Sequence, residues 1–564
     1  MTDALATYPL PRPEPDPNPG PRDDELYDLV EARFRRLIRS NPTFATQVGI
    51  HSEDDRLADG SRDALLAELA ADKVHLAAVE AIEPSELAPT ARLERDLEIH
   101  HLRLEIFETE VVRTWERRSS ALEVFGDALF GQSARDHAPL AERLRAIAGR
   151  LEALPLNLQQ HRSRAAQPQV RLWQLVELER AADLPAFLDG LVDAGRDELG
   201  PPELRRLARA SASAQAAMAD HADWLRGTIA GGVDTWALGR ERLDEMIALR
   251  VLDGLAADEI LALGHEQLAL ESEARRAAAR EIDPTAPLEA VIERIRSDHP
   301  ASFDEALDTY RDAMLRARQH LIDHRIVTVP DDERLSVVAT PEFQRKVFPT
   351  AACFDPPKFD PLPVGIFVVT PSVDGDPDAM REHSYSSISN ASIHEAYPGH
   401  HLQMAVAIRH PSLTRLLIWA PEFHEGWAMY SEQLMREQGF DDRPAFRLQM
   451  HTDAIWRACR IILDITMHRG EIEVDEASDF LVRNTSFERA TARAEIHRYT
   501  YTPTYQLSYL LGKVLLLRLR ADEQRRLGDR FDLCSFHDRI LRSGSVPIGF
   551  LRPILAAGNG AADD

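Results

Sequence analysis

The 564-residue chain is poor in cysteine, in basic relative to acidic side chains, and in long apolar runs. Its three cysteines, Cys353, Cys459 and Cys534, lie far apart, which excludes a Cys-x-x-Cys pair and a disulfide framework and predicts a reducing compartment. The 93 acidic residues outnumber the 66 basic ones, and the net charge of -27 disfavours nucleic acid and anionic membranes as partners. The longest apolar runs, such as LLIWA and VLLL, are far shorter than the ~18 residues that span a bilayer. We therefore expect a cytoplasmic protein with no membrane or nucleic-acid partner.

The length of the chain favours more than one lobe. Residues 1–23 carry proline at alternate positions from Pro9 to Pro21 and no apolar run, which predicts a disordered, proline-rich leader instead of a secretory signal. Residues 24–330 place apolar side chains three and four positions apart and predict an N-terminal helical lobe. Residues 331–556 are predicted to form a catalytic lobe, and residues 557–564 a flexible tail.

The residue composition changes between residues 335 and 371, where β-branched and aromatic residues are bounded by proline. This pattern predicts a small antiparallel sheet. Helical periodicity resumes near Ser392 and continues to about Arg542. The sequence therefore predicts a mainly α, two-lobed fold in which the sheet lies beside a substrate cleft and offers it an edge strand.

The stretch SIHEAYPGHHLQ, residues 392–403, contains three of the 21 histidines of the chain. A histidine followed directly by glutamate on a helix begins the signature of zinc hydrolases, in which two histidines bind the metal and the glutamate accepts a proton from water. His394 and Glu395 provide this beginning. The usual second histidine would stand four residues after His394, but Pro398 occupies that position.

The second ligand must therefore come from His400 or His401, six and seven residues after the first histidine. On a straight helix, neither lies where one metal ion could reach both histidines. Proline followed by Gly399 predicts a break or bulge that returns a later histidine to the metal. His400 is favoured because glycine directly precedes the second ligand in related signatures, and His401 remains the alternative.

A third ligand is expected on the segment PEFHEGWAMYSE, residues 421–432, which has the apolar content of a buried helix. Glu425 would lie beside the metal if this helix ran antiparallel to the first. His424 and Glu432 are the alternatives. Two imidazoles and one carboxylate with an open fourth position predict one catalytic zinc ion per chain.

Several segments together resemble the bacterial family known as domain of unknown function 885. They are HEAYPGHHLQ, FHEGWAMYSE, RACRIILDITMH, AEIHRYTYTPTYQLSYLLGK and FHDRILRSGSVPIGFL, and the resemblance extends from about residue 25 to 555. Members of this family are expected to be zinc metallopeptidases. The resemblance implies a largely helical fold similar to the gluzincin peptidases, which include the angiotensin-converting enzyme and carboxypeptidase Taq families.

In those relatives, two histidines of the signature and a glutamate of the next helix bind the metal. By resemblance, these ligands map to His394, to one of His400 or His401, and to Glu425. The chain departs from the family pattern at Thr504 and Tyr505, where glycine is expected. This departure bears on substrate preference more than on metal binding.

The carboxyl-terminal block IHRYTYTPTYQLSY offers further catalytic candidates, because a peptide-bond hydrolase needs a donor for the oxyanion. Its polar and aromatic members are His497, Arg498, Tyr499, Tyr501, Tyr505 and Tyr509. Tyr505 and Tyr509 are one helical turn apart and share a face. Arg498 could bind a substrate carboxylate. Asp464 and His468, four residues apart, could orient a ligand or an oxyanion donor. Each candidate also has a structural alternative. The tyrosines could be packed in the core, Arg498 could be exposed or form an ion pair, and Asp464 and His468 could form a buried hydrogen-bonded pair.

The predicted function is that of a zinc-dependent metallopeptidase that cleaves short or unstructured peptides. The first alternative is a zinc-dependent hydrolase or tailoring enzyme that acts on a small amide metabolite. The second is a non-catalytic helical binding protein. The sequence contains no G-x-S-x-G elbow, no P-loop and no G-x-G-x-x-G after a strand, which disfavours serine-hydrolase and nucleotide chemistry. It indicates no oligomeric state.

Overall fold

The computed structural model describes residues 8–166, 168–340, 351–371 and 379–557, and most of these residues lie in helices. The helices, α1 to α23 in chain order, are Asp23–Ser40, Pro42–Gln47, Arg62–Glu80, Pro89–Phe107, Thr114–Arg117, Ala121–Ala134, Leu140–Arg162, Arg171–Ala194, Pro201–Ala230, Arg240–Leu249, Ala257–Ile282, Leu288–Arg296, Phe303–Asp323, Tyr385–Glu395, His400–Ala407, Leu413–Leu417, Pro421–Glu437, Pro444–His468, Val474–Asn484, Arg489–Tyr499, Ser508–Leu527, Leu533–Arg542 and Ile548–Ala557. The mainly helical fold predicted from the sequence is confirmed.

Three short strands form one mixed sheet, so the prediction of an antiparallel sheet is wrong for one of the two strand pairs. The strands are β1 (Leu335–Ala339), β2 (Ala351–Phe354) and β3 (Gly365–Val369), in the spatial order β1-β3-β2. β3 pairs parallel with β1 and antiparallel with β2. The reason is that β3, which is buried along its whole length, occupies the middle of the sheet, while β2 lies at an edge.

Helix α14 begins seven residues earlier than the periodicity indicates, at Tyr385. Serine and asparagine dominate this helix and have low helix propensity, which hides the helix in the sequence. The hydroxyl of Ser384 accepts a hydrogen bond from the backbone N–H of Ser387 (3.2 Å) and caps the first turn. At the other end of the lobe, helical structure extends past Arg542 through α23.

Two of the apolar cores show how the chain is organised. One is confined to the N-terminal part and joins α6, α7, α8 and α9 through residues such as Phe125, Leu151 and Leu188. The larger core lies around the sheet and takes residues from both sides of position 330, from Leu97 and Tyr310 to Phe367 and Leu511. The predicted boundary at residue 330 therefore runs through a shared core.

Helices α17 and α21 approach each other at two glycines. A Cβ on Gly426 would lie 2.5 Å from the Cα of Gly512, and a Cβ on Gly512 would lie 2.0 Å from the carbonyl oxygen of Glu422. Only glycine permits this distance between the backbones. The contact brings Glu425 on α17 close to the start of α21.

The described part of the proline-rich leader, residues 8–22, contains no helix or strand and lies against the body of the protein. Tyr8 packs edge-on against Phe359 with 5.7 Å between ring centroids, and Arg12 pairs with Asp24 and Asp28. Residues 1–7 and most of the predicted tail, 558–564, lie outside the described residues. Among the helices of the described residues, none is both long and apolar enough to cross a membrane.

Candidate metal centre

The segment HEAYPGHH forms the end of one helix and the start of the next. His394 and Glu395 are the last two residues of α14, and His400 is the first residue of α15. Gly399 lies so close to the preceding turn that a Cβ there would be 1.8 Å from the carbonyl oxygen of His394. The indole N–H of Trp427, on α17, donates to the carbonyl of Pro398 (2.7 Å) and ties the break to the neighbouring helix.

His394, His400 and Glu425 come together as the sequence predicts. Each is buried, and one ligand atom of each lies within 4.8 Å of the others. Glu425 Oε2 lies 3.4 Å from His400 Nε2 and 3.8 Å from His394 Nε2. Two ligands of a tetrahedral zinc ion, each about 2.0–2.2 Å from the metal, are roughly 3.4 Å apart, so these separations fit a common ion. The two imidazole rings are perpendicular, with centroids 4.8 Å apart, and can therefore aim at one point from different directions.

The ion pairs of the cluster shift the pKa values of its members. Burial by itself would raise the pKa of Glu425, but its contacts with His394 and His400 outweigh burial and hold this pKa well below its usual range. Burial would likewise lower the pKa of His394, whereas Glu425 and Glu432 raise it to about 10. A cluster that already accumulates negative charge around an imidazole has the electrostatics of a cation site.

Glu432 lies behind His394 and does not face the metal position. Its carboxylate contacts His394 Nδ1 at 2.7 Å and accepts a hydrogen bond from Asn390 (3.0 Å). A proton on Nδ1 leaves the Nε2 lone pair for a metal, which is the usual role of a carboxylate behind a ligating histidine. His424, the other alternative, stacks on His400 with ring centroids 4.0 Å apart and lines the same cavity. Burial lowers the pKa of His424 to about 3, so this ring is neutral.

His401 points away from the cluster, so this alternative for the second ligand is not supported by the geometry. Its Nε2 contacts Glu333 at 2.7 Å, and the same carboxylate accepts hydrogen bonds from Tyr397 (2.9 Å) and Arg318 (2.8 Å). His401 is therefore part of a buried network that attaches α15 to the segment before β1. Adjacent residues at the start of a helix point about 100° apart, which is why only one of the two histidines can reach the site.

Glu395 lines a cavity of about 290 Å³ together with the three candidate ligands. Its side chain is half-buried, and among the described residues no side chain or backbone group makes a hydrogen bond to its carboxylate. A carboxylate in this state is available to a water molecule or a substrate. Cys353, on the edge strand β2, reaches the carbonyl oxygen of Glu395 at 3.6 Å and forms part of the same wall.

Tyr505 and Tyr509 also lie at the site. The hydroxyl of Tyr505 donates to Glu425 (2.8 Å), and the hydroxyl of Tyr509 lies 3.5 Å from that of Tyr505. Burial, followed by the charge of Glu425, raises the pKa values of both phenols, which therefore remain donors. Thr504 has a φ of 64°, and this left-handed turn directly precedes Tyr505, which reaches the glutamate.

Two other predicted residues lie elsewhere. Burial lowers the pKa of His468 to about 4, and its Nε2 contacts the carbonyl oxygen of Tyr499 (3.0 Å) in the protein interior. Arg498 pairs with Glu495 at 2.8 Å and does not line the cavity. Neither residue lines the cavity beside the candidate ligands. For Arg498, the structural alternative of an ion pair describes the observed contact. His468 lies 3.8 Å from Asp464, so its alternative, a hydrogen-bonded pair of these two residues, is not observed.

Two arginines of α18 that the sequence analysis missed line the cavity instead. Arg460 packs over the rings of Trp456 (3.9 Å) and Tyr509 (4.5 Å). Arg457 also packs over Trp456, at 4.1 Å, and its buried Nε has no hydrogen-bond partner among the described residues. The signal that could have identified them is the run WRACR, in which two arginines about one turn apart follow a tryptophan within the mainly buried second half of α18.

A second cluster of metal-ligand types, His51, Asp54 and His137, occurs among the described residues. The two imidazole rings stack in parallel, 3.8 Å apart at an interplanar angle of 2°. A metal lies in the plane of each imidazole that binds it, and two parallel stacked rings cannot share such an ion. The second nitrogen of His51 contacts Asp360 at 2.8 Å, so we interpret this cluster as a hydrogen-bonded charge network.

His394, His400 and Glu425, on the wall of a polar cavity in a largely helical protein, therefore form a candidate metal-ligand group. The chain belongs to a bacterial family of proteins of unknown function, domain of unknown function 885, whose model matches residues 42–555. No curated protein matches the chain.

Two solved structures share its fold. A candidate lipoprotein of unknown function from Shewanella oneidensis is 21% identical, with a TM-score of 0.76, and the match covers 94% of this chain and 99% of that one. A candidate lipoprotein from Colwellia psychrerythraea is 18% identical, with a TM-score of 0.83, and the match covers 95% of this chain and 99% of that one. At these identities the similarity establishes the fold alone.

Proposed function

We propose that the protein is a zinc-dependent, gluzincin-like metallopeptidase that cleaves short or unstructured peptides. The observation that carries this proposal is the convergence of His394, His400 and Glu425 on one point, beside a free carboxylate and a tyrosine pair. When bound, zinc supplies an electrophile that polarises a carbonyl group and lowers the pKa of a water molecule to about 7.

Residues of the chain would supply the general base, the oxyanion donor and the group that positions a ligand. Glu395 accepts a proton from the attacking water and passes it to the leaving amine, because it lines the cavity and its carboxylate has no hydrogen-bond partner in the described part of the chain. Tyr509 donates a hydrogen bond to the developing oxyanion, since its hydroxyl reaches the cavity wall and its pKa is raised. The hydroxyl of Tyr505 donates to Oε1 of Glu425, which leaves Oε2, the oxygen nearest His400, for the metal.

The sheet supports a peptide as the substrate. Among the described strands, β2 has a neighbour on one side only, and Cys353 near its end lines the same cavity as Glu395. An extended peptide can add to the open side of such a strand through backbone hydrogen bonds. This arrangement would present a scissile carbonyl to the cluster while the peptide chain continues along the strand.

The experiment starts with elemental analysis, which should find about one zinc per chain after mild dialysis. Wild-type protein and Glu395→Gln are then assayed on a mixed library of short peptides. The variant should retain zinc and lose roughly 10²–10⁴-fold in turnover, because it lacks the general base. Glu437→Gln, on the exposed end of α17 and paired with Arg520, is the matched control and should keep wild-type turnover.

Two results would overturn the proposal. One is a protein that takes up no transition metal even after zinc is added. The other is a Glu395→Gln variant that hydrolyses the best peptide at the wild-type rate with zinc in place. Inactivity of zinc-loaded wild-type protein on all peptides would favour the non-catalytic alternative.

A small amide metabolite is the second candidate substrate. The cavity of about 290 Å³ is small, and two arginines, Arg457 and Arg460, line it beside the ligands. Such a cavity suits a compact anionic molecule as well as one or two residues of a peptide. Cleavage of N-acyl amino acids, with no cleavage of peptides blocked at both ends, would select this alternative.

The cytoplasmic location also remains a proposal. It rests on the three cysteines, all of which are free. The two structural neighbours are described as candidate lipoproteins, and this description concerns those proteins. Fractionation of the source cells with an antibody against the protein tests the location, and recovery in the membrane fraction would contradict it.

A further inference from the structure

A second cavity, of about 310 Å³, lies next to the metal cavity and shares two wall residues with it, Cys353 and Asp355. It follows α15 away from the candidate metal site: Met404 and Ile408, one and two turns after His400, line it. The two cavities therefore form neighbouring parts of one concave surface, on either side of the end of β2.

Lys358 is the most unusual residue of this second cavity. Its ammonium group donates to the carbonyl oxygens of Ile408 (2.5 Å) and His410 (2.8 Å). Within the described ranges, no carboxylate lies within 4 Å of it, although the chain has 93 acidic residues. Burial lowers its pKa to about 8, which leaves most of the positive charge in place at neutral pH. A half-buried ammonium without a counter-charge is costly unless an anion joins it.

Arg135 places a second cation at the same cavity. Its guanidinium donates to the carbonyl oxygens of Gln47 (2.9 Å) and Asp355 (3.0 Å), and its buried Nε has no hydrogen-bond partner among the residues that the structure describes. In the described part of the chain, it too has no carboxylate within ion-pair distance. The third cation, Arg415, differs because Glu94 neutralises it at 2.7 Å. Asp355 lines the same cavity and its carboxylate attracts Arg135 from beyond ion-pair distance, although burial raises the pKa of Asp355. Among the described residues, Lys358 therefore carries a positive charge at this cavity without a carboxylate partner.

We propose that this second cavity is a recognition subsite for a carboxylate of the substrate, bound by Lys358 and Arg135. This inference rests on the proposed hydrolase function. The carboxylate could belong to an acidic side chain or to the free carboxyl terminus of a peptide. Ile408, directly after α15, is eight helical steps from His400, a rise of about 12 Å, which an extended chain covers in three to four residues. The carboxylate is thus expected about three residues from the scissile bond.

A purely structural role for Lys358 gives a different expectation. Lysine side chains often satisfy the last carbonyl groups of a helix and interact favourably with its dipole. Loss of such a cap would lower stability and would affect all substrates equally. Recognition of a carboxylate instead changes the ratio between matched acidic and neutral substrates.

The test uses pairs of peptides that differ only in a carboxylate. One set carries Glu or Gln at each of the four positions on either side of the cleaved bond, and the other has a free or an amidated carboxyl terminus. Zinc-loaded wild-type protein should prefer the acid by roughly tenfold to a hundredfold in kcat/KM, because charge-assisted hydrogen bonds have this strength. The set that shows the preference identifies the source of the carboxylate.

Lys358→Met should remove most of this preference, with the loss expressed mainly in KM. Lys358→Arg should restore most of it. Lys73→Met is the matched control, because Lys73 is exposed and paired with Glu110, and it should retain the wild-type ratio. Arg135→Gln should reduce the preference independently, so the inference stays testable if Lys358→Met does not fold.

Failure of the subsite and failure of the proposed function give different results. Hydrolysis without preference for an acid in either set, or an equal preference in wild type and Lys358→Met, overturns the subsite alone. If no peptide is hydrolysed, the proposed function fails, and fluorescence titration of zinc-loaded Glu395→Gln with the same labelled peptides tests the subsite. Equal affinity for acidic and neutral peptides in that titration overturns it.

Discussion

The candidate metal site depends on the close passage of the chain at Gly399, and Gly399→Ala tests this dependence. The new Cβ would lie 1.8 Å from the carbonyl oxygen of His394 and 2.4 Å from that of Ile393, whereas real Cβ contacts stay above 3.0 Å. Both contacts are to backbone atoms, so no side-chain rotation relieves them. The two segments must separate by about 1.2 Å.

Such a displacement exceeds the ~0.5 Å within which a binding constellation must be held. His394 and His400 lie on opposite sides of the glycine, so the movement separates two ligands that need zinc distances of about 2.0–2.1 Å. We expect Gly399→Ala to lower zinc affinity by at least about 100-fold, beyond the usual range for residues behind a ligand. Overpacking should also reduce the free energy of unfolding by roughly 1–3 kcal/mol.

Competition with a calibrated zinc chelator measures the affinity, and circular dichroism during heating measures the stability. Gly227→Ala is the control, because a Cβ at this position in α9 would meet nothing within 4 Å. It should keep zinc affinity and gain up to about 1 kcal/mol of stability. A folded Gly399→Ala variant with wild-type zinc affinity would refute the argument that this glycine brings the two histidines together.

Two further predictions concern histidines: the first compares His400 with His401, and the second concerns His51. His400→Ala should lose zinc, whereas His401→Ala should keep zinc and lose thermal stability, and equal zinc content in both would contradict the assignment. His51 should make stability depend on pH: hydrogen bonds to two aspartates outweigh burial and raise its pKa from 6.5 to about 9. Because the raised pKa favours the protonated folded state, this contribution is full below pH 6.5 and is lost as pH rises to about 9. Allowing for partial exposure, it amounts to roughly 1–2 kcal/mol, and urea denaturation of His51→Gln should lack this fall between pH 6.5 and 9.

The helices were predictable because their periodicity is local, but the sheet was not. Whether β1 pairs with β2 or with β3 depends on the route of the chain between them, which the pattern of apolar residues does not encode. The run GIFVV of β3 did contain a signal, because a continuous apolar strand is typical of a position with neighbours on both sides. The serine-rich start of α14 carries no such signal, because its residues have low helix propensity. Capping and packing outweigh this low propensity and form the helix.

The candidate ligands could be predicted because their chemistry limits the choice. Histidine and glutamate at these spacings have few other reasons to occur around a proline and a glycine. The surrounding residues could not be assigned in this way. Tyr505 reaches Glu425 through the turn at Thr504, and Arg460 reaches the cavity by packing between two aromatic rings. Both arrangements depend on contacts between segments that are distant in sequence.

The departure from the usual four-residue spacing has a physical consequence for the site. In a continuous helix, both histidines and the glutamate between them belong to one rigid element. Here His394 and His400 belong to different helices, and each is fixed separately: the first by Glu432 behind it, and the second by its stacking on His424. Trp427 holds the break between them from α17, the helix that also carries Glu425. The three candidate ligands are therefore positioned by tertiary contacts to α17, and a substitution on that helix that leaves all three ligands intact can still alter metal binding.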